Sequence, residues 1–587
     1  MNYNLNKHIK RIKEKRGFFA SLRRLGEIIA TERRKLALAF IAIALNVGLS
    51  LLGPYLLGYT IDTHVQAKNY EGVLIFAAIL LIIYVTAYIL NYIQIRMMGG
   101  IGQRLLFRLR NDVFEKLQEL PLDFFNQNKA GDLISRINND TDKLSEFFSH
   151  SLMQFIRSLI MMTGAGLFLL SINLPLGLAT LSPTLILLVF TVAISPWIRR
   201  KNRATLKSIG NLSAEIQESI ANFKVIVAFD RRDYFRKHLG DANRENYKKS
   251  IRAGIANSLL SPIYTFASNI GQLIVLAVGI WLIGQGRFSI GLLISFIAYV
   301  SNFYNPLRQL ARLWANLQLT LAAWDRISQL LSLESNLPII ESTEIANSNS
   351  FIHFKDVSFA YPNGEQVLKN VSFELQKGKV YAFVGPTGGG KTTTASLISR
   401  LYDATKGAIL IDGKDIRSFT ACERASKIGF ILQDPILFTG TVRENILYGN
   451  NECGALTNEE LEKALEDAQL LSLLKSFDQG LETSIEMGGD SISLGQKQMI
   501  AFMRAILRKP ELLILDEATA NIDTVTEQKL DQILTNLPKS TTKVIIAHRL
   551  NTIESADEIF FVNSQKIITA GSFDEALNLL MQEQGVS

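Results

Sequence analysis

Cysteine is nearly absent from this sequence, with Cys422 and Cys453 the only two among 587 residues. So low a number excludes a disulfide scaffold and a Cys-rich metal centre, and both thiols are expected to be reduced side chains of a cytosolic domain. Charge is also scarce, at 20% against a hydrophobic content of 48%, and the mean hydropathy is +0.17. That balance argues against a disordered chain and against an ordinary soluble one. The length exceeds a single compact domain and, at about 150 residues each, would correspond to about four. The formal charge of +8 allows a nucleic-acid partner by its sum but not by its placement. Residues 1–35 hold 11 Lys/Arg against 3 Asp/Glu, and the remaining 51 basic and 51 acidic residues cancel. An excess confined to an N-terminal arm fits an anionic membrane surface, and no nucleic acid is expected to bind.

Asp, Glu, Lys and Arg are missing altogether from Leu36–Ile61, Gly72–Ile95, Ser158–Ile198, Ala253–Gly286 and Phe288–Leu307. A bilayer core takes about 20 mostly apolar residues in helical form. The third stretch has 41 residues and is broken by Ser171, Asn173 and Pro175, which implies a tight turn between two spans and hence six spans in all. Lys and Arg crowd the N-terminal arm and the segments Arg104–Lys143 and Arg199–Arg252, whereas the connections Asp62–Glu71, Ser171–Pro175 and Gly284–Arg287 hold one, none and one. Basic loops stay on the cytoplasmic side, so both termini are expected there. Phe18–Arg34 has the pattern of an amphipathic helix lying on the membrane surface. The two long cytoplasmic connections are helical in pattern and too polar for lipid, so the helices should extend well beyond the bilayer.

Spans are absent from Phe351 onward. A Ser-, Asn- and Glu-rich linker at residues 332–350 gives way to short apolar strands alternating with helices, the pattern of an α/β domain. Within it, "GPTGGGKT" at Gly385–Thr392 follows the strand-like "VYAFV" and precedes a helical stretch. This is the phosphate-loop pattern in its strand, loop, helix context. Across Gly385, Pro386, Thr387, Gly388, Gly389 and Gly390, the glycines let successive backbone N–H groups converge on phosphate oxygens. Lys391 reaches the β/γ-phosphates, Thr392 offers a hydroxyl to Mg²⁺ and Thr393 continues the binding segment. "LLILDE" ends a strand on Asp516, placed to hold Mg²⁺, and Glu517, placed to polarise the attacking water. "KVIIA" delivers His548 from a third strand end.

The set resembles the half-transporters of the ATP-binding cassette (ABC) exporter family over nearly the whole chain. Tyr361 stands 24 residues before Gly385, at the family's adenine-stacking aromatic. Gln433 in "ILQDPILF" matches the Q-loop, which contacts Mg²⁺ or water. "ISLGQKQ" with Ser493, Gly495 and Gln496 matches the signature, "ANID" with Asp523 the D-loop, and "AHR" the switch histidine. The separations are 42 residues from Lys391 to Gln433, 60 to Ser493, 23 to Asp516 and 32 to His548. The resemblance implies a basic arm and elbow helix at 1–35, a six-helix transmembrane domain of type IV exporter kind at 36–331, and an α/β P-loop NTPase at 351–587. It also implies ATP and Mg²⁺ as ligands, and a head-to-tail dimer in which each ATP lies between one phosphate loop and the other chain's signature. Asp123–Asp140 and Ala214–Phe229 resemble the family's two coupling regions. "EMGGD" at Glu486–Asp490 departs from the usual wording of a further coupling segment.

Leu494 stands where the family's LSGGQ signature has its first glycine, and an isobutyl group there must turn away or block close approach to phosphate. Intact catalytic residues beside a weakened signature resemble one subunit of a heterodimeric exporter, with a homodimer that tolerates Leu494 as the alternative. The spans offer Asn46, Tyr55, Tyr84, Asn91, Tyr92, Tyr264, Asn269, Gln272, Tyr299, Asn302 and Tyr304. These side chains serve either a cavity for amphipathic molecules or lipids, or helix packing. Arg157 is read as reaching toward the cytoplasmic surface. The expected function is ATP-driven export across a bacterial inner membrane. An ATP-gated channel and a membrane-tethered regulatory ATPase are the competing readings.

Overall fold

The computed structural model describes residues 3, 5, 32–334, 337–341, 350–361, 364–450, 456–486, 491–516, 524–546, 553–571, 574–576 and 578–579. They fall into two compact units. One comprises Asn6–Lys116 and Gly131–Ser332; the other comprises Met1–Leu5, Leu117–Ala130 and Leu333–Ser587.

Among the described residues six helices are long and apolar enough to cross a membrane: Arg33–Val65, Tyr70–Glu119, Ala130–Ile172, Leu174–Ala221, Arg232–Gly284 and Ile290–Leu331. At 1.5 Å per residue, a helix of 50 residues is about 75 Å long, more than twice the ~30 Å hydrocarbon core. The charge-free stretch Gly72–Ile95 thus fills only part of Tyr70–Glu119, and the polar remainder extends beyond the lipid. The expected turn in the third stretch is present. Asn173 ends Leu152–Ile172, and its side chain accepts from the N–H of Leu176 at 3.0 Å to start the next helix, with Pro175 in the first turn. Asn as cap and Pro at the first positions are the residues such a start favours.

The membrane core is built chiefly by the first, third and sixth spans, with Ile43, Val47, Leu169, Phe296 and Val300 fully buried. Pro54 lies inside the first span, and side chains of the sixth bond to carbonyls around it. Ser295 Oγ donates to Pro54 O at 2.7 Å and Tyr299 OH to Leu51 O at 2.6 Å. Asp62 caps the sixth span. Its carboxylate accepts from the N–H of Gly291 at 2.8 Å and from the hydroxyl of Ser289, which itself accepts from Leu292 N–H. A carboxylate at a helix N-terminus complements the helix dipole. In low dielectric every such polar group must find an internal partner.

That requirement accounts for several of the polar residues in the spans. Asn46, Tyr264, Tyr299 and Tyr304 are buried in packing. Tyr304 OH donates to Thr180 O at 2.9 Å, Asn46 Nδ2 to Ala87 O, and Gln272 Nε2 to Ser301 Oγ at 3.1 Å. Tyr55, Tyr84 and Tyr92 remain exposed on the single chain. Arg157 does not simply extend outward, because its guanidinium donates to Asn91 Oδ1 at 3.3 Å. Between the third and sixth helices, Arg326 grips the buried carboxylate of Asp140, and Arg136 donates to Arg326 O at 2.9 Å. The charges are paired, as burial demands.

The strands described in the second unit are β1 Ile352–Ala360, β2 Gln366–Leu375, β3 Val380–Val384, β4 Lys406–Ile411, β5 Lys414–Asp415, β6 Ile428–Ile431, β7 Gly440–Thr441, β8 Ser484–Ile485, β9 Leu512–Asp516, β10 Thr542–Ile546, β11 Glu558–Asn563 and β12 Lys566–Ala570. They form a six-stranded sheet in the order β12-β11-β3-β10-β9-β6, a four-stranded sheet in the order β2-β1-β4-β5 and the pair β7-β8. β3, β10, β9 and β6 run parallel. Their near-continuous apolar sequences suit strands covered on both faces. Pro338 and Ile340 of the linker are docked, since Arg400 donates to Pro338 O at 2.7 Å and Ile340 N–H to Arg417 O at 3.1 Å.

The N-terminal arm, expected as a cytoplasmic basic arm with an interfacial helix, contributes Tyr3 and Leu5 to the second unit, where they are 1% and 0% exposed. Residues 6–31, with most of the predicted amphipathic helix, lie outside the described residues, as does Cys453. Cys422 is an exposed free thiol.

The first and sixth spans cross at Gly58 and Gly291, where a Cβ on Gly291 would lie 2.0 Å from Gly58 O. Overpacking of this kind costs about 1–3 kcal/mol. Gly99 has nothing within 4 Å of a would-be Cβ, and Ala is the better helix former. Gly291→Ala is therefore expected to lower the thermal midpoint in detergent, whereas Gly99→Ala leaves it unchanged or raises it.

Candidate nucleotide site

Four neighbouring parallel strands end at one edge of the six-stranded sheet. Ile546 of β10 stands beside Phe383 of β3 and Asp516 of β9, and Ile431 of β6 beside Leu515. The segments leaving these carboxyl ends carry the phosphate loop, Asp516 itself, His548 and Gln433, the place where open α/β sheets bind ligands. Glu517, His548 and Asp523 lie outside the described residues, as do Met487–Asp490 of the "EMGGD" segment.

The phosphate loop is shaped by glycines in conformations that other residues rarely adopt. Gly385 has φ +145°, and a Cβ there would stand 2.2 Å from Val562 O; Gly388 and Gly390 have φ +81° and +112°. These conformations belong to glycine. The loop leads into the helix Lys391–Ile398, whose cap Gly390 offers no side-chain acceptor to the first N–H groups. Such a helix start is an anion site. Lys391 Nζ donates to Gly385 O at 2.9 Å and Pro386 O at 3.0 Å, which draws the cation across the loop. Thr392 Oγ1 donates to Asp516 Oδ1 at 3.2 Å, and Asp516 is 4% exposed. A hydroxyl and a carboxylate beside a phosphate cradle are the hard oxygen donors that suit Mg²⁺.

Tyr361 OH and Thr393 Oγ1 share a hydrogen bond at 3.0 Å, which fixes the predicted adenine-stacking ring over the loop's helix. Its ring meets Tyr402 edge to face at 5.5 Å, and Tyr402 OH accepts from Asn126 Nδ2 at 2.8 Å. Burial pushes the Tyr402 phenol up to about 12, so it remains neutral. Asn126 lies on the helix Leu122–Gln127, within the first predicted coupling region. The second region behaves differently. Around its short helix Phe223–Ala228, Ile220, Phe223, Val225 and Phe229 are all exposed.

Ser493 caps the helix Leu494–Ile506. Its hydroxyl accepts from Gln496 N–H at 3.2 Å, and Gln496 Oε1 accepts from Ser493 N–H at 2.9 Å. Gln496 also donates to Ser476 O at 2.9 Å, so in the single chain this glutamine shapes the helix start. Leu494 sits in the first turn and is 37% exposed. Gln433 is exposed just beyond β6. The sequence did not single out the residues that anchor the following segment. Asn445 Nδ2 donates to Phe438 O at 2.8 Å, and Arg504 donates to Ile436 O at 3.1 Å and Asn445 O at 2.8 Å. An Asn among the apolar positions Val442 and Ile446 was the available signal.

Fold and site together define a P-loop ATPase joined to a helical membrane domain. The model described as ABC transporter transmembrane region matches residues 36–307, and the one described as ABC transporter matches 368–520. The ABC transporter ATP-binding protein YfiC of Bacillus subtilis is 34% identical over 95% of this chain and 92% of that protein. A fatty acid ABC transporter ATP-binding/permease protein of Mycobacterium bovis is 34% identical over 87% and 80%. A multidrug resistance ABC transporter ATP-binding and permease protein of Lactococcus lactis is 30% identical over 85% and 84%. The chain belongs to the ABC transporter family, with the architecture of an exporter half-transporter. It is a multi-pass membrane protein that couples ATP hydrolysis to transport.

Gly385→Ala is expected to abolish nucleotide binding, since the added methyl meets Val562 O and the backbone angle becomes strained. Titration with a fluorescent ATP analogue checks it, and binding within about twofold of wild type would refute this view of the loop.

Proposed function

We propose that the chain exports amphipathic or hydrophobic molecules, drugs or lipids, from a bacterial cytoplasm by alternating access, as one subunit of a heterodimer in the inner membrane with both termini inside. The phosphate loop carries the reading. Its glycine-shaped cradle, Lys391 and the Thr392–Asp516 pair stand at the carboxyl ends of parallel strands in a chain that also holds six membrane helices. ATP lies along Gly385–Thr393 with its adenine against Tyr361, and Lys391 turns from the loop carbonyls to the β/γ-phosphates. Thr392, Asp516 and Gln433 would hold Mg²⁺, which supplies neutralisation of phosphate charge. Glu517 polarises the attacking water, His548 orients Glu517 or contacts the γ-phosphate, and Asp523 of the D-loop contributes to nucleotide binding.

Ser493, Gly495 and Gln496 cap the partner's ATP from the far side, so that an intact γ-phosphate bridges the two chains and hydrolysis releases them. The exposed tip Ile220–Phe229 supports a dimer. Large apolar side chains at the end of a polar helical extension call for cover by a second chain, and this chain's own exposed Ile436 and Phe438, beyond Gln433, offer the same kind of apolar surface to the partner's extension. Leu494 supports a partner different from the chain itself, because an isobutyl group in the first turn screens the helix start that should meet phosphate. For cargo, the fatty acid and multidrug relatives support an amphipath.

ATPase activity of the assembled transporter with ethidium and with oleate tests the reading; stimulation by either supports it, and indifference to both counts against it. Glu517→Gln should slow hydrolysis on the order of 10²–10⁴-fold while ATP still binds. Unchanged hydrolysis would remove Glu517 from the mechanism. Expressed alone, the chain should not form a fully active dimer; a stable homodimer with full substrate-stimulated activity would refute the heterodimer.

A further inference from the structure

Tyr3 and Leu5 are almost fully buried, although they belong to a strongly basic arm. What they bury against is the helix Leu122–Gln127. This helix has only six residues, and its cap Pro121 makes no side-chain hydrogen bond to it. So short a helix has no stability of its own and takes its position from what holds it.

Three consecutive amide side chains are held. Asn126 is bonded to Tyr402 on the nucleotide side. Gln127 Oε1 accepts from Tyr3 N–H at 2.9 Å. Asn128 joins helix and strap, because its Nδ2 donates to Phe124 O at 2.8 Å and to Tyr3 O at 3.0 Å while its Oδ1 accepts from Leu5 N–H at 3.2 Å. The Tyr3 ring meets the fully buried Phe124 edge to face at 6.3 Å. Tyr3 OH then donates to Glu334 O at 2.9 Å, three residues beyond the end of the last membrane helix at Leu331.

We propose that Tyr3 is a positioning residue for coupling: the Tyr3–Leu5 strap clamps the Leu122–Gln127 helix and ties it to the segment that follows the last membrane helix, so that the two move as one. This rests on the exporter reading, in which Leu122–Gln127 lies in the first coupling region. Backbone bonds to Gln127 and Asn128 give the strap its register, and the Tyr3 ring and hydroxyl give it its two anchors. Without the clamp, ATP would still bind and be hydrolysed, since the bonds of Tyr3 described above run to Gln127, Asn128 and Glu334 and not to the phosphate loop, but less of each cycle would reach the membrane helices.

The assembled transporter in lipid nanodiscs, with Tyr3→Ala and Tyr3→Phe, tests the proposal through two readouts. In hydrogen exchange, Tyr3→Ala should speed exchange of the peptide covering Leu122–Asn128 by tenfold or more, while Tyr3→Phe, which keeps the ring on Phe124, stays within about threefold of wild type. In proteoliposomes, Tyr3→Ala should keep basal ATPase within twofold but lower ethidium moved per ATP at least fivefold, with Tyr3→Phe restoring at least half. Unaltered exchange in Tyr3→Ala overturns the clamp, and faster exchange with undiminished ethidium per ATP overturns its role in coupling. If wild type hydrolyses ATP and moves neither ethidium nor oleate, the exporter reading fails, while the exchange result still decides the clamp.

Discussion

The contact on which the nucleotide unit depends is the approach of the Gly385 backbone to the carbonyl of Val562. No side chain fits there. With the loop seated against β11, Gly388 and Gly390 can take left-handed conformations that leave backbone N–H groups and the start of the Lys391–Ile398 helix directed at one place. The parallel register of β3, β10, β9 and β6 then brings the other strand ends to the same edge. Asp516 could not bond Thr392 if β9 were shifted by one residue, since its side chain would point to the opposite face.

The membrane unit answers to a different constraint, the cost of leaving polar groups unpaired where there is no water. Asp62 and Ser289 cap the sixth span, Ser295 and Tyr299 serve carbonyls around Pro54, and Tyr304 serves Thr180. These interactions hold the first, fourth and sixth spans together with side chains that composition alone could equally assign to a cargo cavity. Beyond the lipid, where water returns, the Asp140–Arg326–Arg136 network takes over. Uncompensated charges there would be costly to bury, and each has a partner.

Much of this was legible in the sequence. Charge-free stretches gave the spans because lipid excludes charge regardless of tertiary context, and the turn at Asn173 followed from local capping chemistry. The phosphate loop, Asp516 and the signature helix were legible because catalysis fixes residue type and spacing. What could not be read depends on contacts between distant segments. Tyr3 and Leu5 look like part of a basic arm until Leu122–Gln127 is placed beside them. Asn445 and Arg504 become meaningful only as anchors of the segment after Gln433, and Tyr402 only as the link between Tyr361 and Asn126. Polar residues in the spans were ambiguous in principle, since packing and cargo binding use the same side chains.

The claim that ATP energy is spent on directed movement is tested most directly by the steady-state distribution of ethidium across sealed inside-out vesicles containing the assembled transporter. The account predicts that ATP drives accumulation in the lumen above electrochemical equilibrium. It also predicts that this gradient is lost without ATP and when Lys391 is replaced by Ala. A distribution that only reaches equilibrium, however fast ATP brings it there, would contradict active export and point to a gated channel.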